Sequence, residues 1–442
     1  MGINFHVIKS TIVGALGGLL FGFDTAVISG TTNALTQTYQ LSPALLGVTV
    51  SSALLGTVAG AITAGIPGQK FGRRDSLRVM ALFYVISALG CAFAWNWTAL
   101  IFFRFIGGLG IGGSSVLGPM YIAEIAPPEW RGRLVGCFQL NVVIGILLAY
   151  VSNAWIDTLR LGATEWRWQL GISALPAALF LLALFGIPRS PRWLVMRGNN
   201  DESLAVLRLT GIPEPEEELK EIIASIHQER AASSDPLFSR QYAFPMFLAL
   251  TMGTFCQLSG INAVLYYLND IFSLAGATKV SGALQAVAVG ATNLVATLVA
   301  MSVIDQFGRR KLLLTGTAGL TVCLSAVAYV FMTHKHLAWL VWLLMAYIAC
   351  FAISQGAVIW VYVSEVFPNR VRAKGQALGS SAHWVTNAII SLVFPIMAGS
   401  SGAYPFMFFA AMMVIHFFII LKYYPETKGI SLERMQHKLG IE

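Results

Sequence analysis

The sequence predicts an all-α membrane protein of twelve transmembrane helices, arranged as two pseudo-symmetric six-helix bundles with a small cytoplasmic helical segment between them. Three observations lead to this fold class: an apolar composition, twelve long apolar stretches, and motifs that occur twice. Of the 442 residues, 56% are hydrophobic and 11% are charged, whereas soluble domains carry about 25% charged residues. The chain therefore belongs to the polytopic membrane class.

The apolar stretches are long enough to cross a bilayer, because a spanning helix needs about 20 mostly apolar residues. The first stretch lacks a small-residue cleavage site after a short core, so we expect no removable signal peptide. The predicted spans lie near residues 8–29, 44–66, 77–95, 98–120, 134–155, 169–187, 244–267, 281–304, 312–332, 338–361, 375–398 and 403–422.

The basic residues are distributed unevenly between the two sides of these spans. If the N-terminus is cytoplasmic, 24 Lys and Arg residues fall in cytoplasmic segments and four fall in outer loops. The positive-inside rule then predicts a multi-pass protein of the cell membrane with both termini in the cytoplasm. The net charge of +8 is thus a topology signal, and we expect no nucleic-acid partner because there is no basic soluble face. The five cysteines show no metal-ligand spacing, so we expect neither a metal nor a cofactor.

The longest polar interruption divides the spans six and six. Within it, Leu219, Ile222 and Ile226 recur at helical spacing among acidic residues, which predicts a short amphipathic helix; a solvated linker is the alternative. The predicted organisation is an N-terminal bundle (1–188), a cytoplasmic helical linker (189–242), a C-terminal bundle (243–423) and a cytoplasmic tail (424–442).

Two motifs recur after equivalent spans. "FGRR" follows span 2 and span 8, and its glycines are 236 residues apart. "AEIAPPEWRGR" follows span 4 and "SEVFPNRVRAK" follows span 10, so that Glu124 and Glu365 are 241 residues apart. Motifs at a near-constant offset indicate two parallel repeats, and transporters built in this way bind substrate near mid-membrane between the repeats.

These motifs carry the charges for a cytoplasmic latch. Their glycines permit a tight turn, and carboxylate–guanidinium pairs between helix ends could hold the cytoplasmic side closed. The alternative is that the arginines only set the topology. The predicted latch residues are Arg73, Arg74, Glu124, Arg131, Arg309, Arg310, Glu365 and Arg372.

Polar and aromatic side chains also occur midway along several spans, where a polar group defaults to a functional role. Amides supply both donors and acceptors for hydroxyl groups, and aromatic rings supply apolar faces for the C–H side of a pyranose. For any single amide, interhelical bonding is the simpler explanation, but the set favours a polyol site. It comprises Gln139, Gln257, Asn262, Asn293, Trp360, His383 and Trp384. In span 7 the two amides flank Gly260, where we expect the helix to be locally irregular.

The motifs taken together resemble the sugar porter family of the major facilitator superfamily. They are "GGLLFGFD", "FGRRDS", "RFIGGLGIG", "PMYIAEIAPPEWRGRL", "QLSGINAVLYY", "VSEVFPNRVRAKGQ" and "PETKG", and they extend over nearly the whole chain. The nearest likenesses are bacterial proton-coupled sugar symporters and animal facilitative glucose transporters. The resemblance implies the same sugar-site residues, adds Tyr266, and places Asn293 twelve residues before Asp305.

Four positions depart from the family pattern. Cys256 stands where the first of two adjacent glutamines is usual, and His383 stands where Gln or Asn is usual. Ala357 replaces the proline after Gly356, which leaves the bending of span 10 open. Arg189 replaces the glutamate of a PESPR motif, so one latch contact is expected to be missing.

Asp24 and Arg104 are the clearest pair of opposite charges within spans. Each lies about six residues from the outer end of its span, hence about 9 Å below the outer surface, and each is costly alone. The alternative to a functional role is a static ion pair. The resemblance implies proton coupling, because proton-coupled members carry this Asp and Arg whereas the animal uniporters have Asn in place of the Asp.

We therefore expect a proton-coupled importer of a monosaccharide, a hexose or a pentose, that works by alternating access. A facilitative sugar or polyol uniporter and a non-transporting membrane sugar sensor are the alternatives. An enzyme is disfavoured because the sequence offers no nucleophile–base or metal constellation beside the spans. The expected partners are the sugar, the proton and the lipid bilayer, and we expect the chain to act as a monomer.

Overall fold

The computed structural model describes residues 4–232, 236–276, 278–368, 371–428 and 439. Within them, twelve helical segments are long and apolar enough to cross a membrane, which confirms the predicted number of spans. In chain order, spans 1 to 12 are Phe5–Gly30, Pro43–Thr63, Arg73–Ala92, Trp97–Ile125, Arg131–Thr158, Gly162–Gly186, Arg240–Tyr266, Ser281–Ile304, Arg309–Thr333, Leu337–Glu365, Lys374–Ser400 and Tyr404–Tyr423.

The α-helices number twenty-one in the described part of the chain. The first twelve are α1 (Phe5–Val27), α2 (Thr32–Tyr39), α3 (Pro43–Thr63), α4 (Gly65–Phe71), α5 (Arg73–Ala92), α6 (Trp97–Ile125), α7 (Arg131–Thr158), α8 (Glu165–Gly171), α9 (Ala174–Ala183), α10 (Pro191–Met196), α11 (Asn200–Leu209) and α12 (Pro215–Ala232). The remaining nine are α13 (Ala243–Leu258), α14 (Ile261–Tyr266), α15 (Leu268–Leu274), α16 (Lys279–Phe307), α17 (Arg309–Thr333), α18 (Leu340–Phe351), α19 (Ala357–Glu365), α20 (Arg372–Ser400) and α21 (Tyr404–Tyr423).

The two FGRR motifs form matching tight turns. Gly72 separates α4 from α5 with φ +93°, and Gly308 separates α16 from α17 with φ +86°. Glycine occupies this region of backbone space without the steric penalty of a Cβ. The expected tight turn is therefore present in both repeats, and each turn brings an arginine pair to the start of the next helix.

The polar interruption between spans 6 and 7 contains three helices, α10, α11 and α12. The expected amphipathic helix is α12, where Ile226 is buried. The segment is anchored by Trp193, whose indole N–H donates to the carbonyl of Gln69 at 2.9 Å. This contact ties α10 to the end of α4.

Two compact units can be distinguished by contacts along the chain. The first comprises Met1–Asp24, Leu55–Ile146 and Leu170–Ser234, and the second comprises Thr25–Leu54, Leu147–Gln169 and Asp235–Glu442. Parts of spans 1, 2, 5 and 6 therefore group with the second repeat. In the second unit, for example, the Tyr150 hydroxyl donates to the carbonyl of Leu265 at 2.9 Å.

Within each unit, glycines let helix backbones approach closely. In the first unit, a Cβ on Gly22 would overlap the carbonyl of Val142, so spans 1 and 5 touch backbone to backbone. In the second unit, a Cβ on Gly253 would overlap the carbonyl of Gly379, which gives spans 7 and 11 the same closeness. Such small-residue contacts drive helix packing in lipid, where the hydrophobic effect between helices is absent.

Candidate functional site

Span 7 is broken beside its polar residues. α13 ends at Leu258 and α14 begins at Ile261, while Gly260 between them has φ +84°. A Cβ on Gly260 would overlap the ring of Phe409, so only glycine fits. The expected irregularity at Gly260 is confirmed, and it places Gln257 at the end of one helix and Asn262 at the start of the next.

Three predicted site residues surround His383, which lies on α20. The side-chain nitrogen Nε2 of Gln257 is 2.8 Å from Nε2 of His383, and both side chains are buried. The imidazole also lies 5.2 Å from the ring of Trp360 and 5.3 Å from that of Trp384, measured between centroids. An amide, an imidazole and two indoles from spans 7, 10 and 11 thus lie together, and this combination of groups can bind a polyol.

A second polar group lies along the same helix. The amide of Asn387 donates to the hydroxyl of Tyr266 at 3.2 Å, and its oxygen accepts from the hydroxyl of Ser391 at 3.2 Å. Sequence reasoning missed Asn387. The signal was available, because Asn387 follows His383 by four residues and therefore lies on the same helix face.

Three other predicted sugar-site residues have no hydrogen-bond contact with His383 within the described part of the chain. Gln139 belongs to the first unit and has an exposed side chain on α7. Asn262 is half-buried on α14, and Asn293 is buried on α16. Cys256, which stands in place of a glutamine, is buried and free.

Asp24 and Arg104 meet within the first unit, as their matching depth predicts. Nη2 of Arg104 is 3.7 Å from Oδ2 of Asp24, and the side chains are 3% and 23% exposed. This separation exceeds hydrogen-bond length, so the attraction is Coulombic. The pair lines a small cavity with Tyr84, Ser87 and others, and Asp24 is the more accessible partner.

The first predicted latch carboxylate is engaged by two groups. Nη2 of Arg73 is 2.8 Å from Oε1 of Glu124, with side chains 7% and 9% exposed. The hydroxyl of Ser190 donates to Oε2 of the same carboxylate at 2.5 Å. Arg74 instead pairs with Asp75 and donates to the carbonyl of Ile187. These contacts join the start of span 3 and the end of span 4 to the segment after span 6.

The second latch carboxylate has an equivalent set of partners. Nη2 of Arg309 is 3.2 Å from Oε1 of Glu365, and the hydroxyl of Thr427 donates to Oε2 at 2.6 Å. Glu426 accepts the backbone N–H groups of Arg309 and Arg310 at 2.9 and 3.1 Å. A carboxylate at the first turn of α17 is favourable because it accepts hydrogen bonds from otherwise unpaired N–H groups. Its negative charge also interacts favourably with the positive end of the helix dipole.

The other arginines at these motifs differ in whether they form ion pairs. Within the described ranges, neither Arg131, which is exposed, nor Arg372 forms an ion pair. Arg189 does form contacts, at 3.4 Å from Oδ2 of Asp75 and 3.8 Å from Oε1 of Glu202. The substituted PESPR position thus gains new acidic partners. The side chain of Asp305 lies outside the described residues.

Comparison with known proteins decides the family. The family model described as "Sugar (and other) transporter" matches residues 10–439. The chain belongs to this family. The sugar porter resemblance is thereby confirmed, and the family consists of transporters, in agreement with the expectation that the chain is not an enzyme.

Two relatives are similar to this chain over almost their whole length. The "Arabinose-proton symporter" of Bacillus subtilis is 36% identical over 448 residues, which cover 100% of this chain and 96% of that protein. The "D-xylose-proton symporter" of Escherichia coli is 34% identical, covering 98% and 95% of the two chains. The similarity therefore extends over every span.

Solved structures show the same fold. The "Inward open conformation of the xylose transporter XylE from E. coli" matches with a TM-score of 0.88 and 33% identity, covering 98% of this chain and 99% of that chain. Its "Partially occluded inward open conformation" matches with a TM-score of 0.87 and 32% identity, covering 96% and 99%. The predicted fold class, twelve helices of the major facilitator type, is confirmed.

Proposed function

We propose that this protein imports a monosaccharide together with a proton across the cell membrane by alternating access. The observation that carries the proposal is the ion pair between the buried Arg104 and the half-buried Asp24, whose charged atoms are 3.7 Å apart in the lining of a cavity. A charge in this environment needs its partner. Proton uptake by Asp24 would neutralise the carboxylate whenever Arg104 withdraws, so a proton could accompany each cycle.

The sugar site of this proposal centres on Gln257 and His383 in the second unit. Their nitrogen atoms lie 2.8 Å apart, and a sugar hydroxyl could replace this contact with bonds to both groups. Trp360 is the most exposed ring of the group, at 39%, and offers a face for the C–H side of a sugar. Asn262, Tyr266, Asn293 and Trp384 complete the proposed set within this unit.

The substrates named for the relatives support a monosaccharide as the substrate class. Relatives named for arabinose, D-xylose and glucose share 34–36% identity with this chain. These sugars differ in hydroxyl stereochemistry and in one carbon. Because Cys256 and His383 replace residues that are amides in the family pattern, we propose a pentose or a hexose whose recognition depends on the imidazole.

The proposed orientation places both termini, the FGRR turns and α10 to α12 in the cytoplasm. It is supported by the 24 basic residues on that side, against four on the other. The two repeats, residues 1–188 and 243–423, are proposed as the moving bundles, with residues 189–242 and 424–442 on the cytoplasmic face. The protein is proposed to act as a monomer within the bilayer.

An uptake assay tests this function. Purified protein in proteoliposomes is offered labelled L-arabinose, D-xylose and D-glucose, with and without an imposed pH gradient that is acidic outside. We expect one of these sugars to accumulate above its external concentration only when the gradient is imposed. L-Glucose and protein-free vesicles serve as controls.

The other outcomes distinguish the alternatives. Equilibration of a sugar without accumulation under the gradient would identify a uniporter. Specific sugar binding without any uptake would identify a sensor. Both results would contradict the proposed symport.

A further inference from the structure

Span 10 is interrupted at mid-length by a turn of π-helix. α18 ends at Phe351, the π-turn comprises Ala352–Gly356, and α19 begins at Ala357. Helix irregularities are caused by proline, by Gly/Ser pairs or by side chains that insert into the hydrogen-bond ladder, and span 10 has no proline between Leu337 and Glu365. Isolated π-turns are rare in proteins, and those that occur are often found at functional sites. The turn itself contains Ser354 and Gly356, and its neighbours supply further contacts that can hold it.

The side chain of Gln355 lies within this turn and is fully buried. Its nitrogen Nε2 is 3.2 Å from Nδ1 of His416 and 3.4 Å from Sδ of Met413, both in span 12. It also lies 3.5 Å from the hydroxyl of Thr317 in span 9. A buried amide is costly unless it is hydrogen-bonded, so these contacts fix where the turn can lie.

The neighbouring span 9 is shaped to receive the turn. A Cβ on Gly316 would overlap the side chain of Ser354, and a Cβ on Gly319 would lie 2.7 Å from Sγ of Cys350. Glycines at these positions let α17 approach the widened part of span 10. The π-turn is therefore accommodated by two neighbouring spans.

The π-turn and His416 each lie close to residues that neighbour the proposed sugar site. Trp360 lies four residues after the turn, and its ring is 5.2 Å from that of His383. On the other side, His416 stacks on Phe255, with centroids 4.9 Å apart and planes 14° apart. Phe255 precedes Gln257 by two residues on α13.

The Gln355–His416 pair is not optimised for stability. Among the described residues, Oε1 of Gln355 and Nε2 of His416 are both buried and have no hydrogen-bond partner. Two leucines would avoid these unsatisfied atoms, since replacing both partners by apolar groups is often neutral or stabilising. The pair therefore needs another explanation, and its position between the turn and the sugar site supplies one.

We infer that Gln355 and His416 are positioning residues, whose hydrogen bond holds the π-turn of span 10 so that the indole of Trp360 faces His383. The inference rests on the proposed sugar site but concerns different residues. A π-turn holds one more residue than an α-turn. If it relaxes to α-helix, α19 rotates by about 100° relative to α18 and Trp360 turns away from His383.

The first test needs no sugar, so it is independent of the proposed function. The full chain is labelled with 5-fluorotryptophan, and the ¹⁹F resonance of Trp360 is assigned with Trp360→Phe. We expect this resonance to shift or broaden in Gln355→Leu and His416→Leu, and to stay in place in His416→Gln, which keeps a hydrogen-bonding amide. The resonance of Trp193, in the other unit, is the internal control. An unmoved Trp360 resonance in both leucine variants would overturn the inference.

The second test asks whether the effect passes through Trp360. Equilibrium binding of labelled D-xylose is measured for Gln355→Leu in the wild-type background and in a Trp360→Ala background. We expect at least tenfold weaker binding in the first and less than a twofold change in the second, because the two changes act on one element. Equal weakening in both backgrounds would show a general structural role and contradict the inference.

Discussion

Replacement of Gln257 by alanine should weaken sugar binding without unfolding the protein. The Gln257 side chain is 2% exposed, and its amide nitrogen lies 2.8 Å from His383. In the proposed site, alanine would delete a hydrogen bond to a sugar hydroxyl and leave buried groups unpaired, at a cost of about 1–3 kcal/mol. Since 1.4 kcal/mol is tenfold in affinity, the dissociation constant should rise by about 5- to 150-fold.

The assay is equilibrium binding to purified protein, using the sugar that the uptake panel selects. A matched control is Gln285→Ala, which also removes a glutamine from a spanning helix. The amide of Gln285 donates to the hydroxyl of Ser281, one turn earlier in α16, so this variant should bind within about twofold of wild type. If Gln257→Ala binds as tightly as Gln285→Ala does, span 7 does not form the sugar site.

Three further predictions concern other contacts. His383→Gln should change the ranking of competing sugars in a binding assay, and an equal loss for every sugar would instead indicate a packing role. Glu124→Ala leaves the guanidinium of Arg73 buried without its partner, so thermal unfolding should report a loss of about 3–5 kcal/mol; an unchanged midpoint would contradict this. Burial raises the pKa of Asp270 to about 7, although a 2.9 Å hydrogen bond from Thr32 opposes the shift. Because this pKa lies above the usual value of about 3.9, wild-type stability should fall as pH rises from about 4 to 7, and Asp270→Asn should show a flatter profile.

The spans and the main chemistry could be predicted from the sequence because the bilayer imposes a strong constraint. Long apolar runs form helices in lipid because every backbone polar group must be hydrogen-bonded within the segment. Polar residues within such runs are therefore easy to recognise. Gly260 illustrates this, since a glycine among polar residues correctly indicated the break in span 7. The closeness of Asp24 and Arg104 followed from depth alone, because two opposite charges at one level of the bilayer need each other.

Long-range partners could not be predicted in the same way. The sequence placed Glu124, Arg73 and Arg131 at the cytoplasmic edge, but only packing of spans 3 and 4 brings Arg73 to the carboxylate. Arg189 was expected to lose a contact, whereas the fold brings it within 3.4 Å of Asp75. The sequence left the bending of span 10 open at Ala357, and the π-turn around Gln355 could not be predicted because the partners of Gln355 lie on spans 9 and 12.

The central claim is that Asp24 carries the coupled proton, and Asp24→Asn tests it most directly. The variant is compared in proteoliposomes with wild type and with Asp157→Asn, which changes another carboxylate on a spanning helix. With the outside acidified, wild type and Asp157→Asn should concentrate the sugar. Asp24→Asn should not, but it should still bind the sugar and exchange it in counterflow. Accumulation of sugar against its gradient by Asp24→Asn would contradict the account.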